Sequence, residues 1–266
     1  MNRATFLLIT VLLIFSFSTE LNGQYSPSPS NREIISSEGA WFGVYTRYHF
    51  TNRWSYYGEY HLRRRDGLIN MGQIYLRLGA TYRLAKNVDL TAGAVNPYYW
   101  APDQSLPNID KVVPQFRLWE QVVISTPIRH VSILHQFRVE QRYRRDYEIG
   151  SPFELTHRYR YKIALYIPIN YGDLVANTLF ISLYNEIFMQ TGKSITYNHF
   201  EDNRAFIGLG YKLNKKLQIQ AGYMKSYRHN NSPYSYQSRN IVRVNLYHQL
   251  DLKKDIQPKE WDIPLN

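Results

Sequence analysis

Two groups of residues in this sequence have the types and spacing for chemistry. The first is a set of Arg and Glu at alternate positions: Arg138, Glu140 and Arg142, then Arg158, Arg160 and Lys162, with Arg47, Glu59, Arg77, Arg117, Glu186, Arg204 and Arg243 in similar settings. A spacing of two puts side chains on one face of a strand. Guanidinium and carboxylate groups gathered on one face pair bidentately. Such a set either fills a narrow lumen with hydrogen-bonded ladders or lines a basic passage for small anions, and structural packing is the preferred reading. The second group is His130-Val131-Ser132, a base and a hydroxyl on the same face of one strand. A lipid hydrolase needs a nucleophile, a base and a third group that orients the base. No Asn stands ready as the orienter. The pair also lies beside a short turn near Pro127, away from the outer leaflet where such an enzyme meets its substrate. A membrane-embedded hydrolase using Ser132 and His130 is therefore the alternative, and no residue is assigned a catalytic role.

Little else points to a site. His49, His61, His135, His157, His199, His229 and His248 are scattered, with no spacing to carboxylates that reads as a metal centre. Glu201, Asp202 and Asn203 form an acidic run that suits calcium, but a solvated loop is the plainer reading. There is no phosphate loop, dinucleotide fingerprint or zinc-protease motif, and no cofactor is expected. Cysteine is absent, which removes disulfides, thiolate ligands, a Cys nucleophile and a lipid anchor on Cys.

The elements that must position the charges are strands. Ile74, Leu76, Leu78, Ala80, Tyr82 and Leu84 alternate with Gln73, Tyr75, Arg77, Gly79, Thr81 and Arg83. The pattern predicts strands at 39–50, 53–64, 71–84, 87–97, 113–126, 129–145, 155–168, 174–190, 201–213, 215–228 and 236–251. These are long enough to cross a bilayer when tilted. No stretch after the N-terminus has the length of a membrane-spanning helix, so a membrane setting requires a closed barrel. Short connections at 51–52, 85–86, 127–128, 170–173 and 214–215 alternate with longer ones at 65–70, 98–112, 146–154, 191–200 and 229–235. Outer-membrane barrels have short periplasmic turns and longer external loops. The expectation is an all-β antiparallel transmembrane barrel of about 12 strands (10–12).

Two features resist that pattern. Glu120 shares the lipid side of its strand with Phe116, Leu118, Val122 and Ile124, which is costly in mid-membrane. A bulge at 119–121 would turn Glu120 into the lumen, toward Arg138 or Arg77, and is expected. Eleven strands also leave the first and last parallel, whereas bacterial single-chain barrels have even counts. Either residues 24–38 add a strand, or they lead the chain outward through the lumen, or one of the eleven strands is misassigned.

Residues 1–23 read as a signal peptide: a basic start with Arg3, an apolar run from Ala4 to Phe17, and a short polar end at Gly23. Residues 24–38 form a polar leader or extra strand, 39–252 the barrel and 253–266 a C-terminal tail. The net charge of +11 is unchanged by cleavage, which removes Arg3 and Glu20. Its Lys and Arg alternate along strands, so contacts with outer-membrane lipid and lipopolysaccharide phosphates and with small anions are expected, and nucleic acid is not. The 24 tyrosines suit a membrane–water boundary.

The ordered series Arg138 to Arg145, Arg158-Tyr159-Arg160-Tyr161, Asn185-Glu186, Phe200 to Arg204, Gly208 to Tyr211 and Gly222-Tyr223-Met224 resembles domain-of-unknown-function family 2490. The signal ending in Gly-Gln resembles those of the same bacterial group, the Bacteroidetes. The resemblance implies an outer-membrane barrel without an assigned activity and carries over no catalytic residue.

Overall fold

The computed structural model describes residues 32–252. Among them there are twelve strands: β1 (Glu33–His49), β2 (Trp54–Arg65), β3 (Asn70–Ala85), β4 (Val88–Trp100), β5 (Val112–Pro114), β6 (Phe116–Ile128), β7 (Val131–Arg144), β8 (Glu154–Pro168), β9 (Thr178–Gly192), β10 (Phe200–Lys212), β11 (Leu217–His229) and β12 (Ser235–Asp251). Neighbours pair antiparallel around the sheet, with β4 passing its edge from the short β5 to β6. The sheet then closes, because β12 pairs β1 in parallel from Glu33↔Ser235 to His49↔Asp251.

The architecture is thus a closed all-β barrel of eleven long strands plus β5. The odd number is real in the structure and forces one parallel seam. Residues 33–38 do not form a separate strand. They lengthen β1 beyond the expected start at 39, and the seam with β12 runs over all seventeen β1 residues.

Connections gather at two ends. The turn end holds 50–53, 86–87, 129–130, 169–177 and 213–216; the loop end holds 66–69, 101–115, 145–153, 193–199 and 230–234. The alternation of lengths is looser than the sequence implied. Loop 66–69 is short, closed by positive φ at Asp66 and Gly67. The connection expected at 170–173 spans 169–177 instead, and β9 starts four residues later than expected. The reason is Leu174. It is 8% exposed and folds into an apolar cluster inside the barrel with Tyr166, Phe180 and Phe206, while Lys212 Nζ donates to its carbonyl at 2.5 Å.

The period of two sorts the faces. Leu76, Leu78, Phe137, Tyr159, Ile207, Leu209 and Val242 point outward and are exposed, whereas Arg77, Arg138, Glu140, Arg158 and Glu186 point inward and are buried. Outward aromatics lie near both rims, with Trp54 against Tyr82 and Tyr48 against Tyr56 at the turn end, and Phe116 near Tyr143 at the loop end.

The expected bulge at 119–121 is absent. The ladders of β6 with β4 and with β7 run unbroken through Glu120, which pairs with Ala92 and Val139. Glu120 lies on the outer face and takes a hydrogen bond from Gln141 Nε2 at 3.2 Å. The cause is Trp119, which is fully buried inside the barrel. Gly93 pairs directly opposite it and Gly79 opposite Gly93, and a Cβ on Gly79 would meet the Trp119 ring at 2.8 Å. A bulge would pull that indole out of a space shaped by two glycines, a greater loss than leaving one carboxylate with an amide partner.

Candidate functional site

The inward residues form a continuous ionic network with Glu140 at its centre. Glu140 is fully buried. Its Oε1 accepts from Arg77 Nη2 at 3.0 Å and Arg160 Nη1 at 2.9 Å; its Oε2 accepts from Arg117 Nη1 at 3.2 Å and Arg158 Nη2 at 2.6 Å. Strand pairing sets up this geometry. Glu140 stands opposite Arg158, while Arg138 faces Arg160 and Arg117 faces Arg142. The like-charged pairs are tolerated because each arginine leans toward a different acid.

Glu59 accepts hydrogen bonds from Arg138 Nη2 at 2.7 Å and the Tyr57 hydroxyl at 2.5 Å, and forms an ion pair with Arg77, whose Nε lies 3.1 Å away. Arg160 reaches Glu186 with two N–H groups, at 2.6 and 3.0 Å. Arg243 donates to the hydroxyls of Tyr45, at 2.5 Å, and Tyr184. These bonds cross the barrel from β2 and β3 to β7 and from β12 to β9, and Arg243 also spans the seam between β12 and β1. Side chains therefore bridge the lumen from wall to wall. Between them a void of about 50 Å³ remains beside Glu59, His61 and Arg138.

Below this layer the lumen is apolar along one wall. Val123, Leu134, Ala164, Tyr166, Leu174, Phe180 and Phe206 form one buried cluster. On this wall the basic lining therefore gives way to apolar side chains. At β7 the inward position changes from Gln136 to Leu134, a change the polar positions above it do not foretell. A smaller ionic group, Arg47 and Arg83 on Asp89, closes the turn end on the facing wall.

Above the network the barrel opens into a vestibule of about 570 Å³ at the loop end. Its walls carry Arg142, bound to Glu201 Oε1 at 2.8 Å and Gln190 Oε1 at 2.7 Å, and Arg204 and Arg239, which share Asp202 at 2.7 and 2.9 Å. Arg63 lies between two rings, with its Cζ 3.8 Å from the Trp41 centroid and 4.5 Å from that of Tyr75. Tyr147 stands in the bordering loop, donates to the Trp100 carbonyl at 3.3 Å, and has its phenol pushed up to about 12 by burial. In the loop beside it, hydrogen bonds from Ser105 hold Asp103 below the usual carboxylate range.

Of the residues singled out in the sequence, Arg77, Arg117, Arg138, Glu140, Arg142, Arg158, Arg160, Glu186, Arg204 and Arg243 all face inward, and Glu120 does not. Glu201 and Asp202 are not a solvated loop. An irregularity between Phe200 and Asp202 turns both inward, where they are buried against arginines. Strict alternation would have sent one of the two outward, so the sequence pattern could not find the pair. His130 and Ser132 do not form a dyad. His130 Nδ1 meets the Gly172 carbonyl at 2.6 Å, in the turn region, and makes no hydrogen bond to Ser132.

Residues 38–237 match the profile of a family described as "Protein of unknown function (DUF2490)". No curated protein sequence matches the chain. Two solved structures are similar: the NanC porin in a rhombohedral crystal form, at 8% identity and a TM-score of 0.47, covering 80% of this chain and 98% of the porin, and LpxR from Salmonella typhimurium, at 10% identity and a TM-score of 0.45, covering 75% of this chain and 85% of LpxR.

Proposed function

The chain belongs to the DUF2490 family, and from its geometry we propose that it is an outer-membrane barrel that works by binding at its loop end, not by conducting solutes or cleaving lipid. The observation that carries this reading is the bridged lumen. Arg77, Arg117, Arg158 and Arg160 converge on one fully buried carboxylate, and Leu174 closes the apolar wall beneath. A passage for ions needs sites weak enough to leave. A carboxylate held by four guanidinium groups is a fixed structural part, and moving any of them strands a buried charge.

The membrane setting is supported by the outer face. Large apolar side chains are exposed there in alternation with buried polar ones, and aromatics stand at both rims. Several polar outward groups satisfy one another: Asn185 with Asn203 in two bonds of 3.0 and 3.1 Å, and Lys225 with Asn240 at 2.8 Å. By the usual asymmetry of such barrels the loop end faces outside the cell and the turn end the periplasm. Lipopolysaccharide and lipid phosphates would then surround the loop end.

Fractionation and proteolysis test the reading. The protein should enter the outer-membrane fraction and migrate faster on gels when unheated. Protease added to intact cells should cut within 101–111 and spare 169–177. Recovery in a soluble fraction would end the membrane reading, and cutting at 169–177 in intact cells would invert the orientation.

A further inference from the structure

We propose that the loop-end vestibule is a binding site for a compact, multiply charged anion of the phosphate class. Charge is the first ground. Eleven arginines and five carboxylates line the cavity, an excess of six. Part of this is answered from outside: Arg145 pairs with Asp110, and Glu140 holds Arg117 and Arg158 from below. Arg63, Arg64, Arg65, Arg144 and Arg228 have no carboxylate partner among the described residues.

Reachable cations are the second ground. Arg144 and Arg228 line the cavity and are only partly buried. Neither forms an ion pair among the described residues, so a charged oxygen in the cavity can take a charge-assisted hydrogen bond from each.

The third ground selects the chemistry. Trp41 and Tyr75 would be the rings for stacking a sugar or a base, but Arg63 lies over both, and Arg204 and Arg239 also approach Trp41, at 5.1 and 5.7 Å. Over these two rings the cavity therefore presents guanidinium N–H groups in place of bare aromatic faces. Forked guanidinium groups match tetrahedral oxyanions bidentately. Several of them in a space of ligand size match several such charges close together.

Free phosphorylated solutes and the phosphates of outer-leaflet lipid share this chemistry, and the test separates them. Full-length protein in detergent is titrated calorimetrically with inorganic tripolyphosphate. In a second arm it is placed in phosphatidylcholine vesicles with or without a bisphosphorylated lipid. Binding of tripolyphosphate should be saturable, weaken with added salt, and fall about tenfold in Arg144→Gln/Arg228→Gln. Among the described residues these two arginines form no ion pair at contact distance, so the barrel should still form, as heat-modifiable migration will report. Arg144→Lys/Arg228→Lys should recover part of the affinity, and Lys86→Gln in the opposite turn should change nothing. Binding of the lipid phosphate alone, with the same dependence on Arg144 and Arg228, keeps the site and assigns the membrane as its source. Saturable binding of neither, or equal affinity in the glutamine variant, overturns the proposal. The outcome is independent of whether the barrel conducts ions.

Discussion

Glu120 and Glu140 are carboxylates on neighbouring strands with opposite roles. Glu140 faces inward under four guanidinium groups, so Glu140→Gln leaves a cluster of arginines without its main counter-charge and should cost about 3–5 kcal/mol. Glu120 faces the apolar surroundings with one amide partner, and Glu120→Leu should raise stability. Urea unfolding of the refolded barrel in vesicles measures both. Equal losses in the two variants would mean that Glu120 has an inward role after all. The inward set was legible from period-two spacing, most clearly at Arg77, Arg117, Arg138, Arg160 and Arg243, which sit between apolar or aromatic neighbours. The Glu120 error came from treating one exposed carboxylate as costlier than a displaced Trp119. What decides the matter is Gly79 and Gly93 on other strands, and pairing across strands is not written in one strand's pattern.

At the scale of the strand and the turn, the parallel seam and the inserted turn are the distinctive features. Val44 and Leu246 are register partners across β1 and β12. Cysteines placed at these two positions in a chain that has none should form one disulfide on oxidation, seen as a shift on a non-reducing gel. Failure to cross-link, with the barrel formed, would argue for a different closing strand. Leu174→Ala should cost about 2 kcal/mol, since it empties a buried position among Tyr166, Phe180 and Phe206. A solvent-exposed turn residue would lose almost nothing. Eleven strands and most of their limits could be read from the sequence. The turn 169–177 could not, because Leu174 continues an apolar pattern that fits a strand as well as a plug. Residues 33–38 were ambiguous for a related reason: Ser36, Ser37 and Glu38 read as a leader or an extra strand, and only the partner strand β12 makes them part of the wall.

For the whole molecule, the sequence gives a hydrophilic inner face but not whether that face is hollow. Hollowness depends on side chains from distant strands meeting, as Arg138 meets Glu59 and Arg142 meets Glu201. The account holds that these meetings, with the apolar cluster below, divide the barrel into a basic cup at the loop end and a sealed half at the turn end. Single-channel recording in planar bilayers tests that claim most directly, using protein whose insertion is verified by heat-modifiable migration of the same preparation. The account predicts a quiet baseline without stepped currents, in low and high salt alike. Regular conductance steps from the native protein would show that the lumen is open and would contradict it.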